Sequence, residues 1–182
     1  MAMLIRSLLI LAFMTVCTGC VHRIHTNPLP ENRASSPIPR ALGIQVAPVS
    51  LEGADHRPGI TLLEWSTHDV GQAITHYLQE RGTFASVSAD QSDLTLHTTT
   101  KLALSSRQNR YHYRIRLQAE MKEGDRAIKS YSSDQVVAGS AVRWTTASDR
   151  TPINTALQQA LVDLTTQIES DRLLYLHQAE TP

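Results

Sequence analysis

The chain has 182 residues, among them 17 basic and 17 acidic side chains, eight histidines and two cysteines. So even a charge balance gives no case for nucleic-acid binding, which needs a basic surplus. Both cysteines, Cys17 and Cys20, stand near the start, so neither a disulfide framework nor a thiol-based site is expected in the remainder.

Residues 1–6 carry a single positive side chain, Arg6, and an apolar run from Leu8 to Cys17 follows. About ten apolar residues are too few to cross a hydrocarbon layer of roughly 30 Å. A charged start, a short apolar middle and the small residues Thr18 and Gly19 mark a secretory signal. The run TVCTGC at 15–20 resembles the lipobox of bacterial lipoproteins, whose cysteine is acylated and becomes the mature first residue. Cys17 stands where that family usually has Leu, and Cys behaves as a small hydrophobe. The resemblance implies a lipid, palmitate included, on Cys20. With Val21 rather than Asp next in line, it also implies the outer membrane, facing the periplasm. Cleavage after Gly19 without acylation, or an N-terminal anchor helix, are the plainer readings. Removal of the signal peptide, residues 1–19, leaves 163 of the 182 residues, one domain's worth of chain.

Residues 20–40 come next, with four prolines from Pro28 to Pro39 and no apolar period. Proline fixes φ and removes a donor, so this stretch is expected to be an extended tether that lifts the domain off the membrane. His22 and His25 lie in it without a further metal ligand nearby.

The single domain is expected at 41–178, with a tail at 179–182. Ala41 to Ser50 opens it as a strand, Leu42, Ile44 and Val46 sharing a face, with Pro48 at a sheet edge. Leu51 to Leu62, with Gly53, Pro58 and Gly59, is a loop. In the next segment Val70, Ala73, Ile74, Tyr77 and Leu78 form one apolar stripe of a helix. Ser66 and Asp69 fit its capping box, and Gly82 its left-handed stop. Phe84 and Val87 in a short extended piece should close over the helix end. From Leu94 to Leu104 and again from Tyr111 to Met121, apolar or Thr residues take every second position, and a third, less regular strand follows at 127–139. Such alternation means antiparallel strands with one buried and one wet face. Thr151 and Pro152 read as the cap and first turn of a second helix. Ile153, Leu157, Ala160, Leu161, Leu164 and Ile168 make its stripe. Leu173, Leu174 and Leu176 either extend it or meet a neighbouring chain. The order βαβββα, with two amphipathic helices on one face of a mainly antiparallel sheet, is a two-layer α+β sandwich.

No pattern for catalysis, cofactor or metal binding is present. Ser66, His68 and Asp69 have the residue types of a triad, but neighbouring helix positions point apart. His97 and His112, on the wet face, are candidates to pair across strands. On that same face Lys101, Arg114 and Arg116 are a candidate positive surface for carboxylates or phosphates, the alternative being an ordinary solvated face. Arg143 and Trp144, in the loop before the second helix, are candidate partner-binding residues, Trp144 serving either as a lid on the core or as an exposed anchor. Trp65 is assigned to packing.

Two resemblances follow. The segment APVSLEGADHRPGI, Trp65 ahead of the helix, Gly82-Thr83-Phe84 and Asp93-Leu94 look like the auxiliary lipoproteins of ABC-type envelope transporters. Arg143-Trp144 before a final amphipathic helix is similar to the assembly lipoproteins with a TolB N-terminal type of domain, among them those of lipopolysaccharide and Pel polysaccharide export. Both imply a non-enzymatic accessory protein, held in the outer membrane by its lipid and partnered by envelope transport or export proteins. A homo-oligomeric ring is one arrangement open to it. A module that captures anionic glycan or lipid headgroups is the alternative of a different class.

Overall fold

Alternation in the sequence becomes a sheet with two unlike faces. The computed structural model describes residues 21–53, 62–88, 92–143 and 145–176, and residues 1–20, Cys20 included, lie outside them. Three long strands form a meander: β6 (Leu94–Arg107), β7 (Arg110–Glu123) and β8 (Arg126–Ala138). Leu94, Leu96, Thr98, Thr100, Leu102 and Leu104 of β6 are buried, and opposite them Met121, Ala119, Leu117, Ile115 and Tyr113 of β7. Each fully buried leucine or isoleucine contributes about 1.5–3 kcal/mol. The β6–β7 turn is two residues long, and Gln108 and Asn109 both take positive φ (52° and 57°), the twist that a two-residue hairpin requires.

The sheet is not wholly antiparallel. Beside β6 lie β2 (Ile38–Val46) and β3 (Ser50–Gly53), both parallel to it, as one strand interrupted around Pro48. β5 (Phe84–Val87) pairs parallel to β2 on its other side. The order is β5-β2-β6-β7-β8, with β3 also on β6. The parallel pairing follows from connectivity, because helix α1 (Thr67–Arg81) links β2 to β5 as a crossover. Pro48 therefore marks a break within a strand line that continues past it.

Two helices cover the buried face, as the α+β sandwich reading requires. α1 is capped by Ser66, whose Oγ accepts from the Asp69 backbone N–H at 3.0 Å. It ends at Gly82 with φ 68°, whose N–H returns to the Leu78 carbonyl; a side chain there would sit in the left-handed region that glycine tolerates best. Val70, Ala73, Ile74, Tyr77 and Leu78 are buried as their spacing predicts. Trp65 is buried too.

Helix α2 (Thr146–Ser170) begins over a turn earlier than the Thr151-Pro152 signal suggests, and Pro152 lies inside it. The missing proline N–H would have served the carbonyl of Ser148 four residues back. That carbonyl lies 3.5 Å from the Tyr113 hydroxyl, whose single proton is directed at Asp149 instead. A short 3-10 turn, Arg172–Tyr175, follows, its Tyr175 buried against Tyr131 by a hydroxyl–hydroxyl bond. Leu173 and Leu174 stay exposed.

The largest departure from expectation concerns residues 21–40, which are no free tether. Val21–Arg23 is strand β1, parallel to β4 (Leu62–Glu64). Ile24 is fully buried, and its N–H donates to the Glu64 carbonyl at 2.8 Å. From there the chain crosses the helical layer. Asn27 N–H donates to Asn154 Oδ1 of α2 (2.8 Å), Ala34 N–H to the Arg81 carbonyl (2.7 Å), and Ile38 N–H to the Thr83 carbonyl (2.8 Å). Arg81 ties the crossing together. Its guanidinium grips Glu169 of α2 through two bonds (3.0 and 2.8 Å) and donates to the Asn32 carbonyl (3.1 Å). The prolines hold the strap extended, and its buried residues (His22, Ile24, Pro28, Ile38) follow no fixed period. The folded unit thus begins by Val21 rather than at residue 41.

Candidate functional site

The most unusual chemistry lies where the strap enters the fold. Asp149, in the first turn of α2, has no exposed surface. Its Oδ1 accepts from Arg143 Nε at 2.6 Å and from the Tyr113 hydroxyl at 2.5 Å. Oδ2 accepts from Arg143 Nη2 at 3.1 Å and faces His22 Nδ1 at 2.6 Å. An ionised carboxylate can only accept, so the imidazole carries its proton on Nδ1 and donates. Four elements meet on one carboxyl group: β1, β7, the loop after β8, and α2.

Electrostatics hold this cluster charged. Burial works to raise the Asp149 pKa, but the bonds from Arg143, Tyr113 and His22 outweigh it and keep the carboxyl below its ordinary range. Burial also opposes the charge on Arg143, and the Asp149 contact overcomes it, raising that pKa. The Tyr113 hydroxyl is pushed up by burial first and by the neighbouring carboxylate second, so it stays a donor. The Arg143 guanidinium also stacks over the Tyr111 ring, 5.2 Å from its centroid. Gly139 makes room for the arrangement, since a Cβ there would stand 2.6 Å from Tyr113 Cε2 and 3.3 Å from Pro152 Cγ.

Beside the cluster, the helix α1 terminus holds the strap a second time, with His25 Nδ1 2.7 Å from Asp69 Oδ1. The hydrogen bond from Ser66 above all, aided by the one from His25, keeps the Asp69 carboxyl below its usual range against the opposing effect of burial. A groove of about 750 Å³ runs along α1 from this point, lined by His25, Thr26, Ile44, Val46, His68 and His76 among others. Among the described residues no group of three histidine, cysteine or carboxylate side chains is placed to hold a metal ion.

The candidates read from the sequence scatter. Lys101, Arg114 and Arg116 do share the open face of the sheet, but they do not make an unbalanced positive surface. Arg114 clamps Asp134 of β8 through Nε (2.6 Å) and Nη2, Arg116 reaches the same carboxylate at 3.2 Å, and Lys101 pairs with Glu52 of β3. Asp134 and Glu52 come from strands whose partners only tertiary pairing defines, so these ion pairs are not visible in the sequence. Arg143 is no loop-surface residue, its side chain being only 7% exposed. Trp144 and Cys20 fall outside the described residues. His97 stands opposite Glu120 and His112 opposite Ser105, so the two histidines do not pair. Ser66 and Asp69 act as cap and capped turn. Sequence reasoning missed Asp149, Tyr113 and His22 as a group. The nearest signal is an Asp in a first helical turn six residues after an Arg, and nothing local links either to His22.

All of this gathers at one end of the molecule. The β6–β7 turn, the loop after β8, the N-termini of both helices and β1 lie there, while the C-terminal ends of both helices and the β7–β8 turn lie at the other. Residue 20 is one peptide bond from Val21, so whatever is attached to it joins the chain at this end. Among the described residues no helix is long and apolar enough to cross a membrane.

No family model matches the chain, and no curated protein matches it in sequence. Solved structures do share its fold. Protein XCC0632 from Xanthomonas campestris, a DUF330 family protein, is 16% identical with a TM-score of 0.58, covering 88% of this chain and 99% of its own. Protein CT253 from Chlamydia trachomatis is 10% identical with a TM-score of 0.52, covering 74% of this chain and 98% of its own. PelC from Paraburkholderia phytofirmans, solved as a dodecamer, is 9% identical over 71% of this chain and 92% of its own, at a TM-score of 0.37 too low to establish a common fold.

Proposed function

We propose that the protein is a bacterial envelope lipoprotein, anchored through Cys20 at the periplasmic face of the outer membrane. It serves as a non-enzymatic accessory subunit of a transport or export machine. The observation that carries this reading is the seating of the strap. The residue after the lipobox-like cysteine already belongs to a β-strand, and the next, His22, is fastened inside the domain to Asp149. A domain that searches for ligands is served by slack behind its anchor. A mount without slack transmits the position and orientation of the anchor to the domain, which suits a subunit whose task is to hold other proteins in place. The fold shared with XCC0632 supports the architecture and leaves the machine and its cargo to experiment.

Replacing the chromosomal gene with a Cys20→Ser allele tests the reading. It should give the same envelope-permeability or export defect as deletion while the protein accumulates folded in the periplasm. Full complementation by the unacylated protein would overturn it.

A further inference from the structure

Once ion pairs are taken into account, the two ends of the sheet differ in charge. At the anchored end every described carboxylate is engaged: Glu52 is ion-paired with Lys101, Glu64 with Arg23 and Asp149 with Arg143, while Asp69 is held by hydrogen bonds with His25 and Ser66 and keeps its charge. Three arginines there have no carboxylate partner among the described residues. Arg107 and Arg110 face each other across the β6–β7 turn, and Arg150 follows Asp149 on the first turns of α2. All three are exposed. At the far end Arg33 and Arg172, unpaired among the described residues, are balanced by Glu31 and Asp125, likewise unpaired among them. The anchored end also shows the aliphatic side chains of Val21 and Val142 to solvent.

We infer that this end of the domain rests on an anionic bilayer surface, with Arg107, Arg110 and Arg150 contacting phosphate-bearing lipid headgroups. The inference rests on the anchoring at Cys20 proposed above. Consecutive Cα atoms are about 3.8 Å apart, so an acylated residue 20 brings Val21 to the interface, and β1 brings the rest of the end face with it. Charges act on the headgroups only within a Debye length of about 8 Å. A mount without slack keeps these arginines in that layer, which a free tether of twenty residues would not. Guanidinium groups suit the partner, since their planar forks bind phosphate oxygens in pairs.

The test separates the surface from the anchor. Mature chain carrying Cys20→Ser is partitioned onto vesicles of phosphatidylcholine alone and of phosphatidylcholine with phosphatidylglycerol. Each arginine near an anionic surface strengthens partitioning about fivefold, so three give roughly a hundredfold preference for the anionic vesicles. Combined Arg107→Gln, Arg110→Gln and Arg150→Gln substitutions should abolish the preference, and Arg33→Gln with Arg172→Gln should preserve it. Equal binding to both vesicles, or a preference that survives the triple substitution or disappears with the far-end pair, overturns the inference. Mass spectrometry of the native protein reports on the anchor separately. Unmodified Cys20 in a chain that still prefers anionic vesicles through these arginines would remove the anchor and leave the surface standing.

Discussion

Replacing Asp149 by Asn tests the buried cluster most sharply, because it changes the charge and hardly the shape. Both carboxylate oxygens face two donors each, Arg143 Nε and the Tyr113 hydroxyl on one, Arg143 Nη2 and His22 Nδ1 on the other. Whichever way the amide turns, its NH₂ meets donors. The Arg143 charge, in a side chain 7% exposed, is left without its counter-ion. Removing one partner of a buried pair costs about 3–5 kcal/mol, a large part of the roughly 5–15 kcal/mol that holds a domain folded. For a domain of this size about 2–4 °C is lost per kcal/mol, so Tm should fall by roughly 6–20 °C in calorimetry or thermal circular dichroism. Asp134→Asn is the control, since it breaks two ion pairs on the open face where solvent screens them and should leave Tm near that of the parent. Asp149→Leu combined with Arg143→Met should recover part of the loss, because it removes both charges together. Equal stability of Asp149→Asn and Asp134→Asn would show that the buried cluster contributes no more than the exposed pairs.

Further outcomes follow from the same geometry. Because the folded-state pKa of Asp149 lies below the unfolded carboxylate value, its contribution is fully present above about pH 4 and is lost as pH falls through the depressed value; urea titrations between pH 6 and pH 2 should show a shallower acid loss in Asp149→Asn than in the parent. Gly139→Ala should destabilise by about 1–3 kcal/mol, as the new methyl displaces the fully buried Tyr113 ring; chemical denaturation measures it, and an unchanged midpoint would contradict the close approach. The amides of Ile24, Ala34 and Ile38, which donate to the Glu64, Arg81 and Thr83 carbonyls, should exchange slowly with deuterium by comparison with Ser35 and Ser36. Uniformly fast exchange across 21–38 would restore the tether.

What was legible in the sequence was whatever repeats at short range. The two-residue alternation of β6 and β7 and the stripe of α1 gave the sandwich, and Ser66 and Gly82 gave the ends of α1. The start of α2 was misplaced because Pro152 imitates a first turn, while the helix in fact begins at Thr146. The strap was missed for a related reason. Its apolar residues enter the core at irregular intervals, and prolines in an extended segment look alike whether the segment is solvated or packed. The charges were the hardest to read. Arg114 and Arg116 look unpaired until β8 lays Asp134 beside them, and Arg143 looks exposed until α2 turns Asp149 beneath it. Sequence lists cations, whereas only register and packing assign their counter-ions.

Two probes distinguish a domain seated on the membrane at its anchored end from one hung from it. With Cys17 removed and Cys20 acylated, single thiol-attached fluorophores at Asn109→Cys and Asp125→Cys mark opposite turns of the meander, separated by the 14 residues of β7, about 45 Å of strand. Quenching by headgroup-labelled lipid in vesicles carrying the acylated protein should be strong for the first probe and negligible for the second. Equal quenching of the two would mean that the domain hangs free of the bilayer.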